Sequence, residues 1–134
     1  MVRAIPIFGL LLAGAALAAT PPRAVLIGTA APDLDACGSQ GAVSGLNPRG
    51  DNYLSVRAGP GSDARELSRL RSGHLVNICE QTADGRWFGI VYDPRAPGLE
   101  TDCGVGSPVP QARPYRGRCA AGWVAARYLT VVAG

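Results

Sequence analysis

Residues 53–61 read Tyr53-Leu54-Ser55-Val56-Arg57-Ala58-Gly59-Pro60-Gly61. Leu54 and Val56 alternate with Tyr53, Ser55 and Arg57, so one face of the stretch is apolar and the other meets solvent, the pattern of a half-buried strand. Gly59-Pro60-Gly61 stops it: proline fixes its own φ and offers no N–H to a ladder, and glycine accepts backbone angles that other residues avoid. A strand with a hard stop sets the grammar for the rest of the chain.

The same grammar recurs downstream. Ala42–Leu46 reads as a first short strand, and Asn47–Asn52 is a dense turn signal. Glu66–Leu70 is compatible with one turn of helix, because Leu67 and Leu70 are three apart. A strand is preferred, since no apolar stripe after the first 20 residues is long enough for a stable helix. His74–Glu80 is a strand, Ala83-Asp84-Gly85 a hairpin turn, and Arg86–Tyr92 the strongest strand of all. Period-two alternation puts Phe88, Ile90 and Tyr92 on one face of it and Trp87, Gly89 and Val91 on the other. With a glycine beside it on its own face, Trp87 has little cover from sequence neighbours. Asp93–Arg118 follows as a loop of 26 residues with five prolines and four glycines, longer than an untied loop in a small domain usually is. Gly122-Trp123-Val124 makes a strand, Ala125–Tyr128 a tight helical turn and Leu129–Val132 a closing strand. Many short strands without a long helix predict an all-β fold, a small barrel.

The N-terminus reads differently. Met1-Val2-Arg3 is a positive start, Ala4–Leu12 is apolar and Ala13–Ala19 is small and mostly alanine, the three-part pattern of a secretory signal peptide. Ala16-Leu17-Ala18 places small residues for cleavage after Ala18, and cleavage after Ala19 is nearly as good. The apolar run is too short for a convincing membrane span, so none is expected in the mature chain. Residues 1–19 are therefore read as the signal, 20–36 as a linker or loosely docked arm, and 37–134 as the domain. Asp33 and Asp35, in the arm, are expected to be solvated.

Export makes the cysteines legible. Cys37, Cys79, Cys103 and Cys119 form an even set in a small exported chain, which predicts two disulfides in a periplasmic or secreted protein. Four cysteines allow three pairings, and the sequence alone does not choose among them. Because Cys103 and Cys119 flank the end of one loop, that pair is favoured, leaving Cys37 with Cys79. No C-x-x-C exists, so no metal site is expected. There is no lysine, and 13 arginines stand against 10 acids. Losing Arg3 with the signal leaves 12 against 10, too weak a balance to suggest nucleic acid.

Chemistry is sparse. His74, the sole histidine, is expected to be a solvated turn residue, and the chain contains no G-x-S-x-G, H-E-x-x-H or phosphate loop. No cofactor and no catalysis are expected.

The order LSVRAGPG (54–61), RWFGIVY (86–92) and GWVAARYL (122–129) resembles bacterial SH3-like domains. The opening motif matches at Val56–Gly61 and the ending at Gly122-Trp123-Val124 and Tyr128-Leu129. The middle Gly-Trp pair is interrupted by Arg86, and the long tied loop is a departure from the family's tight turn. The resemblance covers about residues 42–132. It implies an SH3-like barrel with a helical turn near the C-terminus, acting as a non-catalytic binding module. Trp87 and Tyr128 resemble groove aromatics; Tyr92, Tyr115 and Arg116 are further contact candidates. Arg113, Arg116 and Arg118 with Tyr115 form a second candidate surface for anionic polymers or carboxylates. Trp123 is expected in the core. The expected partner is a peptide, peptidoglycan or an envelope protein.

Overall fold

β3 (Leu54–Arg57) has the anticipated alternation: Leu54 and Val56 are buried, while Ser55 and Arg57 are half-exposed. The structure is a computed structural model that describes residues 2–12, 14 and 19–134. Ala16-Leu17-Ala18, the motif behind the first cleavage expectation, lies outside the described residues. Around β3 are β1 (Leu26–Ile27), β2 (Ser39–Val43), β4 (Glu66–Leu70), β5 (Leu75–Gln81), β6 (Trp87–Tyr92), β7 (Arg113–Pro114), β8 (Ala120–Ala125) and β9 (Leu129–Ala133), with a 3-10 turn at Ala126–Tyr128. The fold is thus all-β, and the ambiguous Glu66–Leu70 stretch is a strand.

Seven strands form one antiparallel sheet in the order β4-β3-β8-β6-β5-β2-β9, and β1 pairs with β7 in a separate ribbon. β4 and β9 are the two edges, and no ladder joins them, so hydrogen bonding does not close the sheet into a barrel. The sheet is nonetheless curled. Val43, Leu54, Val56, Leu70, Val76, Ile78, Ile90, Tyr92, Val124 and Leu129 form one buried cluster to which all seven strands contribute. A flat sheet of seven strands, about 5 Å apart, would not bring both edges to one core.

The first strand falls at Ser39–Val43 rather than 42–46. It is paired on both sides, with β5 and with β9, and Gly45 at φ +71° turns the chain away. The β5–β6 hairpin turns at Gly85, whose φ of +73° suits a residue without a side chain. Asp84 accepts hydrogen bonds there from the Thr82 hydroxyl (2.7 Å) and the Arg86 N–H (3.0 Å).

The other face of the sheet carries a second core. Val25, Ile27, Ala36, Cys37, Cys79, Val91, Cys103, Val105 and Trp123 are buried together there. Cys37–Cys79 and Cys103–Cys119 are both bonded, as favoured from the loop, and tie this layer down. The 20–36 stretch, expected as a linker or loose arm, is instead part of the packing: Val25 and Ile27 are each 3% exposed. Its backbone is also engaged. The Arg23 N–H donates to the Ala58 carbonyl (2.9 Å) and the Tyr115 N–H to that of Val25 (2.9 Å), while the Leu26 N–H donates to Glu80 Oε1 (2.8 Å). Asp33 and Asp35, within it, are exposed as expected.

Gly89 shows why the two layers fit. A Cβ there would sit 2.8 Å from Glu80 Cγ, 3.1 Å from Val25 Cγ1 and 3.4 Å from a Trp123 ring carbon. The glycine that leaves Trp87 without a sequence neighbour is the floor on which Val25 and Trp123 rest.

Candidate functional site

β3 and β8 are paired through a single residue couple, Arg57 with Trp123, and then diverge. The gap between them is an open cleft of about 450 Å³. Tyr53, Ser55 and Arg57 from the outer face of β3 form one wall; Trp87, Ala125, Arg127 and Tyr128 form the other, with Leu46, Asn47 and Asp51 at one end. Trp87 is fixed from its backbone. It pairs with Ala125 across the β6–β8 ladder, its N–H donates to the Thr82 hydroxyl (3.1 Å), and its carbonyl accepts the Thr82 N–H (3.0 Å). The side chain, half-exposed, also borders a second and larger cleft of about 1310 Å³, between the Pro60–Asp63 turn and the β5–β6 turn. Trp87 is therefore a ridge between two grooves.

The charges of the first cleft are largely spent on its own walls. Glu66 accepts from the Ser55 hydroxyl (2.5 Å) and from Arg69 Nε (2.7 Å); the first of these, then the second, holds its carboxyl below the usual value. Arg69 in turn lies over the Tyr53 ring at 4.1 Å, Arg127 lies over Tyr128 at 4.8 Å, and Arg57 donates to the Ala64 carbonyl (2.9 Å). These contacts brace the aromatic side chains without closing the cleft. What it offers is a set of aromatic surfaces held by satisfied polar neighbours, suited to an extended ligand with rigid apolar edges.

Of the sequence-derived candidates, Trp87 and Tyr128 meet in this cleft, and three others lie elsewhere. Tyr92 is 2% exposed; its ring is in the first core and its hydroxyl is 2.5 Å from Ser68 Oγ. Alternation put it on the same face as Ile90, and that face is the covered one, so Tyr92 is a core residue rather than a contact. Tyr115 staples the tied loop: its hydroxyl donates to the Cys103 carbonyl (2.8 Å) and accepts the Cys119 N–H (3.1 Å). Arg116 is exposed beside the equally exposed Arg113 and Arg118, and none of the three lines either cleft. Trp123 is fully buried, as expected.

His74 differs from its expectation of a solvated turn. It is 7% exposed, with Nε2 2.9 Å from the Asp93 carbonyl and its ring edge-on to Tyr92. Tyr53 is the residue that sequence reasoning missed. The signal was present in its alternation with Leu54 and Val56, which placed it on the open face with Ser55 and Arg57.

The loop 93–118 lies over the sheet face that carries Trp123 and Val91, where Cys103, Val105 and Val109 pack. Trp87 leans on the edge of that layer, but no residue of the loop lines either cleft. Among the described residues no group of three histidine, cysteine, aspartate or glutamate side chains is placed to hold a metal ion, and no helix is long and apolar enough to cross a membrane. No protein-family model matches the chain, and neither the curated proteins nor the solved structures contain a match to it.

Proposed function

We propose that the protein is an exported, non-catalytic SH3-like module that holds an extended peptide or a cell-envelope component, such as a peptidoglycan stem peptide, in the cleft of Tyr53, Trp87 and Tyr128. The observation that carries this reading is the convergence of these three aromatic side chains on a gap left open by the single-couple pairing of β3 with β8. The resemblance of residues 54–61 and 122–129 to SH3-like domains supports it, as does a curled sheet with a 3-10 turn between its last two strands. Two disulfides favour an oxidising compartment, periplasmic or extracellular. The test is co-sedimentation with purified sacculi, comparing the wild type with Trp87→Ala. Retention by the wild type and its loss in the variant support the reading, whereas equal retention of both removes the cleft from consideration.

A second reading is a structural subunit docking on a larger envelope protein. It is favoured by the edge strands, where Leu67 on β4 and Val131 and Val132 on β9 are 41–54% exposed. Unpaired edges with apolar side chains accept another chain readily. Capture of one stoichiometric protein partner from envelope extract, with no retention on sacculi, supports this reading over the first.

A further inference from the structure

Among the described residues, contact with the domain begins at Thr20, next to the exposed Ala19. Before it, Ile5, Ile7, Phe8, Leu10, Leu11 and Leu12 are 84–96% exposed, a run of apolar side chains that no folded domain leaves in water unless something else receives it. Ala19 is still exposed. At Thr20 the chain makes its first side-chain contact with the domain, ahead of the exposed Pro21–Ala24 and the buried Val25. The Thr20 hydroxyl donates to Asp63 Oδ1 (2.5 Å), and its backbone nitrogen is 3.3 Å from Asp63 Oδ2. Gly59 and Gly61 make room for this contact. Neither has a positive φ; a Cβ on Gly59 would collide with the Pro21 carbonyl oxygen, and one on Gly61 with Thr20 Oγ1.

We infer that the chain is processed at the Ala19–Thr20 bond, and that Asp63 is the receptor for the α-ammonium group so created. The inference rests on the export reading. Hydrolysis consumes one water: Ala19 leaves with a new carboxylate on the discarded leader, and the Thr20 nitrogen gains protons and a positive charge. In the uncut chain that nitrogen is a neutral amide with one N–H. After the cut it is a cation with three, facing a carboxylate already turned toward it. Asp63 belongs to the turn that borders the larger cleft beside Trp87, and Ser62 of the same turn lines both clefts. The new terminus therefore fixes a wall of the candidate site. Arg57 is the other charge close enough to act on Asp63. The pair is exposed, so its effect is to place the turn more than to stabilise the fold.

The absence of lysine makes this testable. The α-amine is the sole primary amine of the mature protein, so an amine-reactive probe reports on it alone. The protein is produced with its own leader, recovered from the exported fraction, and its N-terminus determined by intact mass and sequencing. A start at Thr20 is expected. At neutral pH the probe should label the wild type about threefold or more slowly than Asp63→Asn, because the carboxylate keeps the amine protonated. Raising the salt concentration should narrow the gap. A start at Ala19 overturns the inference and leaves export standing; a full-length exported chain overturns both. Equal labelling of the wild type and Asp63→Asn overturns the role of Asp63, and the salt dependence of the wild type alone decides the same point if the variant does not fold.

Discussion

The Trp123 indole N–H donates to the Arg23 carbonyl at 2.8 Å, and the Arg23 guanidinium lies 4.7 Å from the centre of the same ring. One side chain of β8 thus holds, by hydrogen bond and by cation–π contact, a residue 100 positions earlier. Trp123→Phe keeps most of the volume and loses the hydrogen bond. It should cost about 1–3 kcal/mol in urea unfolding, because the carbonyl loses its partner. Trp123→Ala should cost about 3–5 kcal/mol and expose the backbone of residues 23–27 to hydrogen exchange.

The two disulfides should separate in their effects. Replacing both Cys103 and Cys119 by serine should lower stability by about 3 kcal/mol on the loop-closure estimate, yet leave ligand capture intact, since the tied loop lines neither cleft. Cys37 and Cys79 differ in that both partners are buried in the second core, whereas of the other pair only Cys103 is, at the same 7% exposure. Replacing them should also speed hydrogen exchange at Ile27 and Gly28. Denaturation curves with binding measured on the same samples check both outcomes.

Trp87 and Tyr92 lie on the same strand and should behave oppositely. Trp87→Ala should leave the thermal midpoint nearly unchanged while weakening ligand capture about tenfold or more, the effect of losing an aromatic anchor. Tyr92→Ala should cost about 3–5 kcal/mol, because it empties a buried site in the first core. A large thermal shift for Trp87→Ala would show the tryptophan to be structural.

Stability should fall on both sides of neutral pH. Asp63, Glu66, Asp84 and Asp93 are held below the usual carboxylate value, in each case first by a hydroxyl: Thr20, Ser55, Thr82 and Thr101 respectively. Their contribution is present above the unfolded carboxylate range of about 4 and is lost as pH falls through the lower folded values. Asp63, Glu66 and Asp84 are exposed and Asp93 is partly so, so the acid limb should be shallow. Tyr92 moves the other way: burial pushes its hydroxyl up, with the Ser68 bond opposing more weakly. Its contribution is intact below about pH 10 and is lost as pH rises through the raised folded value. Urea midpoints across a pH series should show Tyr92→Phe flattening the alkaline limb and leaving the acid limb unchanged.

Much of the strand pattern was legible because strands announce themselves locally. The alternation in residues 86–92 sorted Phe88, Ile90 and Tyr92 from Trp87 and Val91, and the two sets do occupy different cores. The turn residues at 83–85 and the loop flanked by Cys103 and Cys119 were equally local signals. The candidate site was half legible. Trp87 and Tyr128 were named from their resemblance to SH3-like groove aromatics, whereas Tyr53 was visible only as a member of the open face of its strand.

Alternation along a strand states which residues share a face, and residue spacing states where the chain turns. Neither states which face will be covered, because the cover arrives from distant sequence. Tyr92 became core because six other strands curl toward its side. Residues 20–36 became structure because Gly89 leaves space for Val25 and Trp123 offers Arg23 an N–H. Gly59 and Gly61, read first as a hard stop that draws on glycine's unusual backbone angles, have no positive φ and are required instead for the room they leave to Thr20 and Pro21. In each case the deciding contact joins residues far apart in the chain, and only the folded arrangement brings them within reach.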